Sequence, residues 1–215
     1  MRSMFDQQLK TLNEEMLYMG GLCEDTIQQT IEALMSGDVK TAHALNNMMS
    51  QLTQQERSIE NICLKLLMQQ QPVARDLRTI SSSLKMVTDM ERIGIQACEI
   101  AEIIAAGNVV RATDKVDFQE LSNEVSHMVQ MAMMAYDKKD MNLADEVIKY
   151  DDVVDKLFCD IRGDLIKQLK DDTNDAECFI DMLMIDKYFE RIGDHAVNIA
   201  SWVKFSITGE IQIVE

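Results

Sequence analysis

A four-residue string occurs twice in this chain, Glu91-Arg92-Ile93-Gly94 and Glu190-Arg191-Ile192-Gly193, 99 residues apart. The match extends to Ala97 with Ala196 and to Ile100-Ala101 with Ile199-Ala200. Earlier in each half, Ala33, Asp38 and Ala42 match Ala135, Asp140 and Ala144 at a separation of 102, and further on Glu56 matches Asp151 at 95. The fall of seven residues is about two turns of α-helix. Losing two turns shortens a helical hairpin without rotating its buried face, a change that an internal duplication of a helical bundle tolerates. The repeat therefore constrains the chain to two copies of one helical unit.

Punctuation agrees. A single proline and eight glycines in 215 residues leave room for long uninterrupted helices. Apolar residues recurring every three or four positions predict six of them: 6–35, 39–70, 73–106, 118–136, 141–169 and 176–207. Gly37-Asp38, Pro72, Gly107-Asn108, Asp137–Asp140, the acidic stretch 170–175 and Thr208-Gly209 are the expected stops and starts. The expected architecture is all-α, two tandem three-helix bundles over residues 1–108 and 115–215 with a linker in 109–117.

The net charge of −16 argues against nucleic acid and anionic lipid as partners and favours a cation or a basic protein surface. The five cysteines form no CxxC pair and sit in apolar helical contexts, which predicts buried reduced thiols and a cytoplasmic protein. The first ten residues lack the apolar core of a signal peptide, and no stretch of about 18 apolar residues is present to span a membrane.

The candidate chemistry lies in paired carboxylates. Asp151 and Asp155, and Glu190 and Asp194, are each spaced i, i+4, so each pair lies on one helix face. On neighbouring antiparallel helices they would form a four-carboxylate patch. Like charges about 4 Å apart repel by roughly 4 kcal/mol at an effective dielectric near 20, which favours proton uptake or a bound hard cation. In the first half, Glu56, Glu60 and Glu91 stand at the matching places, but Ile95 replaces the counterpart of Asp194, so this second site is expected to be weaker or empty. Asp89 falls on another face and is a poor substitute, and His195 points roughly 100° away from Asp194, which favours a hydrogen-bonding role over ligation. The competing reading is a solvated acidic face on a metal-free helical adaptor.

The string from Glu190 to Ala200, Glu-Arg-Ile-Gly-Asp-His-Ala-Val-Asn-Ile-Ala, resembles the signature of the PhoU family of phosphate-signalling regulators, as do Gln71 to Arg78 and Asp89 to Gly94. The resemblance runs through essentially the whole chain. It implies two three-helix bundles and acidic pairs that hold a divalent or trivalent metal ion, iron in some members. It also implies negative control of phosphate-starvation signalling and phosphate uptake through two partners, a phosphate ABC transporter ATPase and a membrane sensor kinase. Membrane association would then be peripheral, through those partners alone; a homodimer is a further expectation.

No P-loop, dinucleotide fingerprint or HExxH occurs. A ferritin-like oxidase needs Glu-x-x-His on two helices, and the three histidines, His43, His127 and His195, are scattered. The expectation is a binding protein with no catalytic residues. Met128, Met131, Met133 and Met134 read as core filling, with a pliable contact surface as the alternative.

Overall fold

In the computed structural model, which describes residues 2–69, 72–109, 116–171 and 175–210, every regular element is a helix: α1 (Arg2–Ser36), α2 (Val39–Ala44), α3 (Asn46–Gln69), α4 (Ala74–Ala106), α5 (Gln119–Lys138), α6 (Met141–Asp171) and α7 (Ala176–Thr208). The expected six-helix order holds with one change, because the second helix divides at Leu45 into α2 and α3. Leu45 keeps a right-handed helical backbone. Its carbonyl accepts from the Met48 amide at 2.9 Å and from the Cys98 thiol of α4 at 3.6 Å. The weak helix formers Asn46 and Asn47 follow at once, so local propensity does little to resist the interruption.

The duplication is a register of burial as much as of identity. At a separation of 102, Met16, Met19, Cys23, Ile27 and Ile31 of α1 are buried, and so are Phe118, at the N-cap of α5, and Leu121, Val125, Val129 and Met133 within it. At 95, Leu52 and Ile59 of α3 correspond to Val147 and Val154 of α6, all fully buried. At 99, the buried stripe of α4 from Ile80 to Ile104 repeats in α7 from Phe179 to Val203. One substitution in that stripe changes its chemistry: Val87 has Asp186 as its counterpart, and both are fully buried.

Helix ends repeat as well. Gly37 and Lys139 both take the left-handed conformation, and the amides of Asp38 and Asp140 each donate back to Ala33 and Ala135 at 3.1 and 3.0 Å, closing the preceding helix. Asp38 then caps α2 through the amides of Lys40 and Thr41, and Asp140 caps α6 through those of Asn142 and Leu143. Gly107 and Gly209, with φ of 83° and 81°, end α4 and α7 as expected. Pro72 separates α3 from α4, whose N-cap is Val73. Most of the expected linker and half of the acidic loop, residues 110–115 and 172–174, lie outside the described residues.

Within each half two helices pack closely at the repeated glycine, α3 on α4 and α6 on α7. A Cβ on Gly94 would collide with Leu52, and one on Gly193 would sit 3.3 Å from Val154. The two halves meet chiefly along α4 and α7, with α1 against α5 beside them. Along the α4–α7 seam Asp89 meets Asn198, Glu99 meets Tyr188 and Asn108 meets Asp181, so the helices run antiparallel. The first two contacts exchange under the repeat: Tyr188 is the counterpart of Asp89 and Asn198 of Glu99. The bundles are therefore related by an approximate two-fold axis through this seam.

Two expectations need correction. Cys23, Cys63 and Cys98 are buried, but Cys159 is exposed and Cys178 is half-buried. Burial holds the Cys63 thiol up at about 12 and that of Cys98 at about 11. Cys159 lies on the outer face of α6, where a thiol satisfies helix periodicity without entering the core. The methionine run divides, with Met128, Met131 and Met133 in the core and Met134 44% exposed.

Candidate metal centre

The carboxylates come from two adjacent helices because i, i+4 spacing stacks each pair on one face. Asp151 and Asp155 stand on α6 and Glu190 and Asp194 on α7, and α6 packs against α7. Close approach at Gly193 brings the α6 pair inward: the Asp151 Oδ1 oxygen lies 3.7 Å from the place a Gly193 Cβ would occupy. The groups repel one another. The Asp151 carboxyl is pushed up to about 6, first by burial and then by Asp155, Asp194 and Glu190. Asp194 is raised by burial and by Glu190, partly offset by the Lys187 ammonium.

The carboxylates of the first half also act on one another. Glu56 is pushed up to about 7, by burial first and then by Glu60 and Glu91, and a hydrogen bond joins it to Glu60. Glu91 accepts from the Thr53 hydroxyl at 2.8 Å. Ile95, half-buried, occupies the place of the missing fourth carboxylate.

The donor set fits a hard cation in kind, since every candidate ligand is a carboxylate. The rotamers do not close on one. Among the described residues no three His, Cys, Asp or Glu side chains gather as a ligand group. In the second half Glu190 is held by an ion pair with Lys187, one turn before it on α7. A cation bound between α6 and α7 would have to displace that ammonium and draw Asp155 and Asp194, both exposed, over itself.

The nearby residues have other partners. His195 Nδ1 lies 2.9 Å from Asp89 Oδ1, and the Asn198 amide donates to the same oxygen at 3.2 Å. Asp89 and His195 thus serve the seam between the bundles, in keeping with their expected places on other faces. Glu124 and His127 form one Glu-x-x-His spacing on α5, where Glu124 accepts from the Tyr150 hydroxyl and His127 packs edge-on against the Tyr150 ring. A single such pair is half of what a ferritin-like site requires.

Sequence reasoning missed Asp186. It lies one turn before Glu190, extending the α7 carboxylates to Asp186, Glu190 and Asp194. It is fully buried, and neither carboxylate oxygen has a hydrogen-bond partner. Burial pushes its carboxyl up to about 8, against the opposing pull of Arg162. The available signal was the repeat itself, which sets Asp186 opposite Val87 in an apolar register.

The PhoU domain model matches residues 16–104 and 118–203, once in each half. The chain belongs to the PhoU family. It is 34% identical over 211 residues to the phosphate-specific transport system accessory protein PhoU homolog of Clostridium acetobutylicum, covering 97% of this chain and 96% of that protein. The homolog of the same name from Pseudomonas aeruginosa is 32% identical, over 95% of this chain and 86% of its own. The crystal structure of PhoU from Pseudomonas aeruginosa superposes with a TM-score of 0.90 at 31% identity, covering 96% of this chain and 100% of that one. The phosphate transport system regulatory protein PhoU from Streptococcus pneumoniae matches in fold, with a TM-score of 0.89 at 23% identity. The all-α, duplicated architecture expected from the sequence is that of this family. Among the described residues no helix is long and apolar enough to cross a membrane.

Proposed function

We propose that this protein is an accessory regulator of phosphate transport that represses phosphate-starvation signalling and phosphate uptake when phosphate is plentiful. The observation that carries this reading is the end-to-end match, both bundles included, to proteins named as accessory to the phosphate-specific transport system. It acts by binding rather than by catalysis. Its partners are the transporter ATPase and a membrane sensor kinase, met at basic surfaces on the cytoplasmic side, because a chain of net charge −16 is drawn to positive patches and repelled by anionic lipid. A metal ion at Asp151, Asp155, Glu190 and Asp194 would tie α6 to α7. Glu56, Glu60 and Glu91 would form the weaker site of the first half.

The deciding experiment is deletion of the gene, with phosphate-starvation transcripts and phosphate uptake read in phosphate-rich medium. Both should rise. Unchanged transcripts and uptake would remove the regulatory reading. The ion pair of Lys187 with Glu190 favours a second reading, a metal-free adaptor whose acidic faces stay solvated. Metal analysis of protein purified without chelator separates the two.

A further inference from the structure

Helix α1 carries two adjacent glycines, Gly20 and Gly21, near the middle of its 35 residues. Glycine is among the poorest helix formers, so each position calls for a reason. Gly20 has one in packing: it is buried, and a Cβ there would collide with the Met133 side chain of α5. Gly21 has none. It is exposed, and a Cβ on it would meet nothing within 4 Å. The repeat supplies a control, because the counterparts of Gly20 and Gly21 in α5 are Ser122 and Asn123, and Ser122 is buried in the same register. The helical unit itself does not demand glycine at either place.

What the two glycines leave is a groove between α1 and α5 of about 420 Å³, lined by the glycines, Met133 and Met134 together with the carboxylates Glu24 and Asp137, one from each helix. Its size suits a single large side chain or a small ligand. Glu24 is half-buried and its carboxyl is raised, by burial first and then by Asp25. Among the described residues neither Glu24 nor Asp137 forms an ion pair. Two carboxylates without a counter-ion stand over a floor of thioethers, which deform to fit an alkyl stem. Of the cationic side chains, arginine offers both a long apolar stem and a planar fork of donors for carboxylates.

We propose that this groove is a docking site for an arginine side chain projecting from a basic segment of a partner protein, its stem on Met133 and Met134 and its guanidinium on Glu24 and Asp137. The net charge of −16 draws such a segment in, and the groove fixes where it anchors. The inference goes beyond the regulatory reading, and its test involves neither phosphate nor metal.

The probe is a fluorescein-labelled hexa-arginine peptide, titrated with the full chain at about 150 mM salt with chelator present and read by anisotropy. Gly21→Met fills the groove without altering charge, and methionine is a better helix former than glycine, so helical CD and the thermal midpoint should hold. The expected result is at least tenfold weaker binding for Gly21→Met and for the double variant Glu24→Gln with Asp137→Asn. A charge-matched control, Glu120→Gln with Glu146→Gln, lies outside the groove and should bind like the wild type. Wild-type affinity in a folded Gly21→Met would overturn the proposal. So would equal losses in the two double variants, because attraction would then be spread over the acidic surface.

Discussion

Replacing Asp186 by valine, the residue its counterpart Val87 supplies in the first half, should stabilise the protein, and increasingly so as pH rises. Asp186 is fully buried with both oxygens unpartnered, and its carboxyl stands at about 8 against an ordinary 3.8. The sign follows from proton linkage. Between these two values the folded state holds a proton that the unfolded chain releases, so stability falls as pH rises from about 4 to about 8 and is level above that. At 1.36 kcal/mol per pK unit, the loss is about 2 kcal/mol by pH 5.5 and on the order of 5 kcal/mol by pH 8.5. Valine carries no titrating group, and it buries apolar atoms where the buried carboxyl has no partner. The stability gap between Asp186→Val and wild type should therefore widen by about 3 kcal/mol from pH 5.5 to pH 8.5. At pH 7.5 a gain of about 5 kcal/mol should appear as a rise of roughly 10–20 °C in the thermal midpoint for a chain of this size. Urea unfolding followed by helical CD across that pH range measures it. A gap that does not change with pH, or a variant less stable than wild type at pH 7.5, would refute the reasoning, since Asp186 would then be ionised and partnered in the fold.

Other outcomes follow from the same contacts. Asp194→Asn should abolish most of the thermal shift produced by a divalent ion and keep the helix, whereas Ile95→Asp should raise the metal content of the first half; equal loading of both halves in the wild type would end the asymmetry argument. Gly94→Ala should cost about 1–3 kcal/mol by overpacking against the fully buried Leu52, and Gly193→Ala clearly less, because its nearest neighbour would be 3.3 Å away. A double-mutant cycle on Asp89→Ala and His195→Ala should give a coupling of about 0.5–3 kcal/mol across the α4–α7 seam, and additive effects would show that the 2.9 Å contact contributes nothing. Asp38→Ala and Asp140→Ala should each lower the thermal midpoint by leaving helix amides uncapped, measured by thermal melts.

The sequence by itself determined the fold class, the helix order and the register of the two halves, because those depend on local periodicity and on a repeat that preserves burial position by position. It also chose which carboxylates share a face: the i, i+4 spacing of Asp151 with Asp155 and of Glu190 with Asp194 fixes that whatever the surroundings. Only the tertiary structure decided what those groups touch. That Lys187 holds Glu190, that Glu56 bonds to Glu60, and that Asp89 turns to His195 and Asn198 on the other bundle all depend on how helices far apart in sequence pack. Leu45 broke a helix that periodicity ran straight through, and Cys159 faced outward where composition put it in the core. Asp186 lay between the two kinds of knowledge. Its register was written in the repeat, but its lack of any partner could be known only once α6 and α7 were side by side, because burial belongs to the assembled bundle and not to the helix that carries the residue.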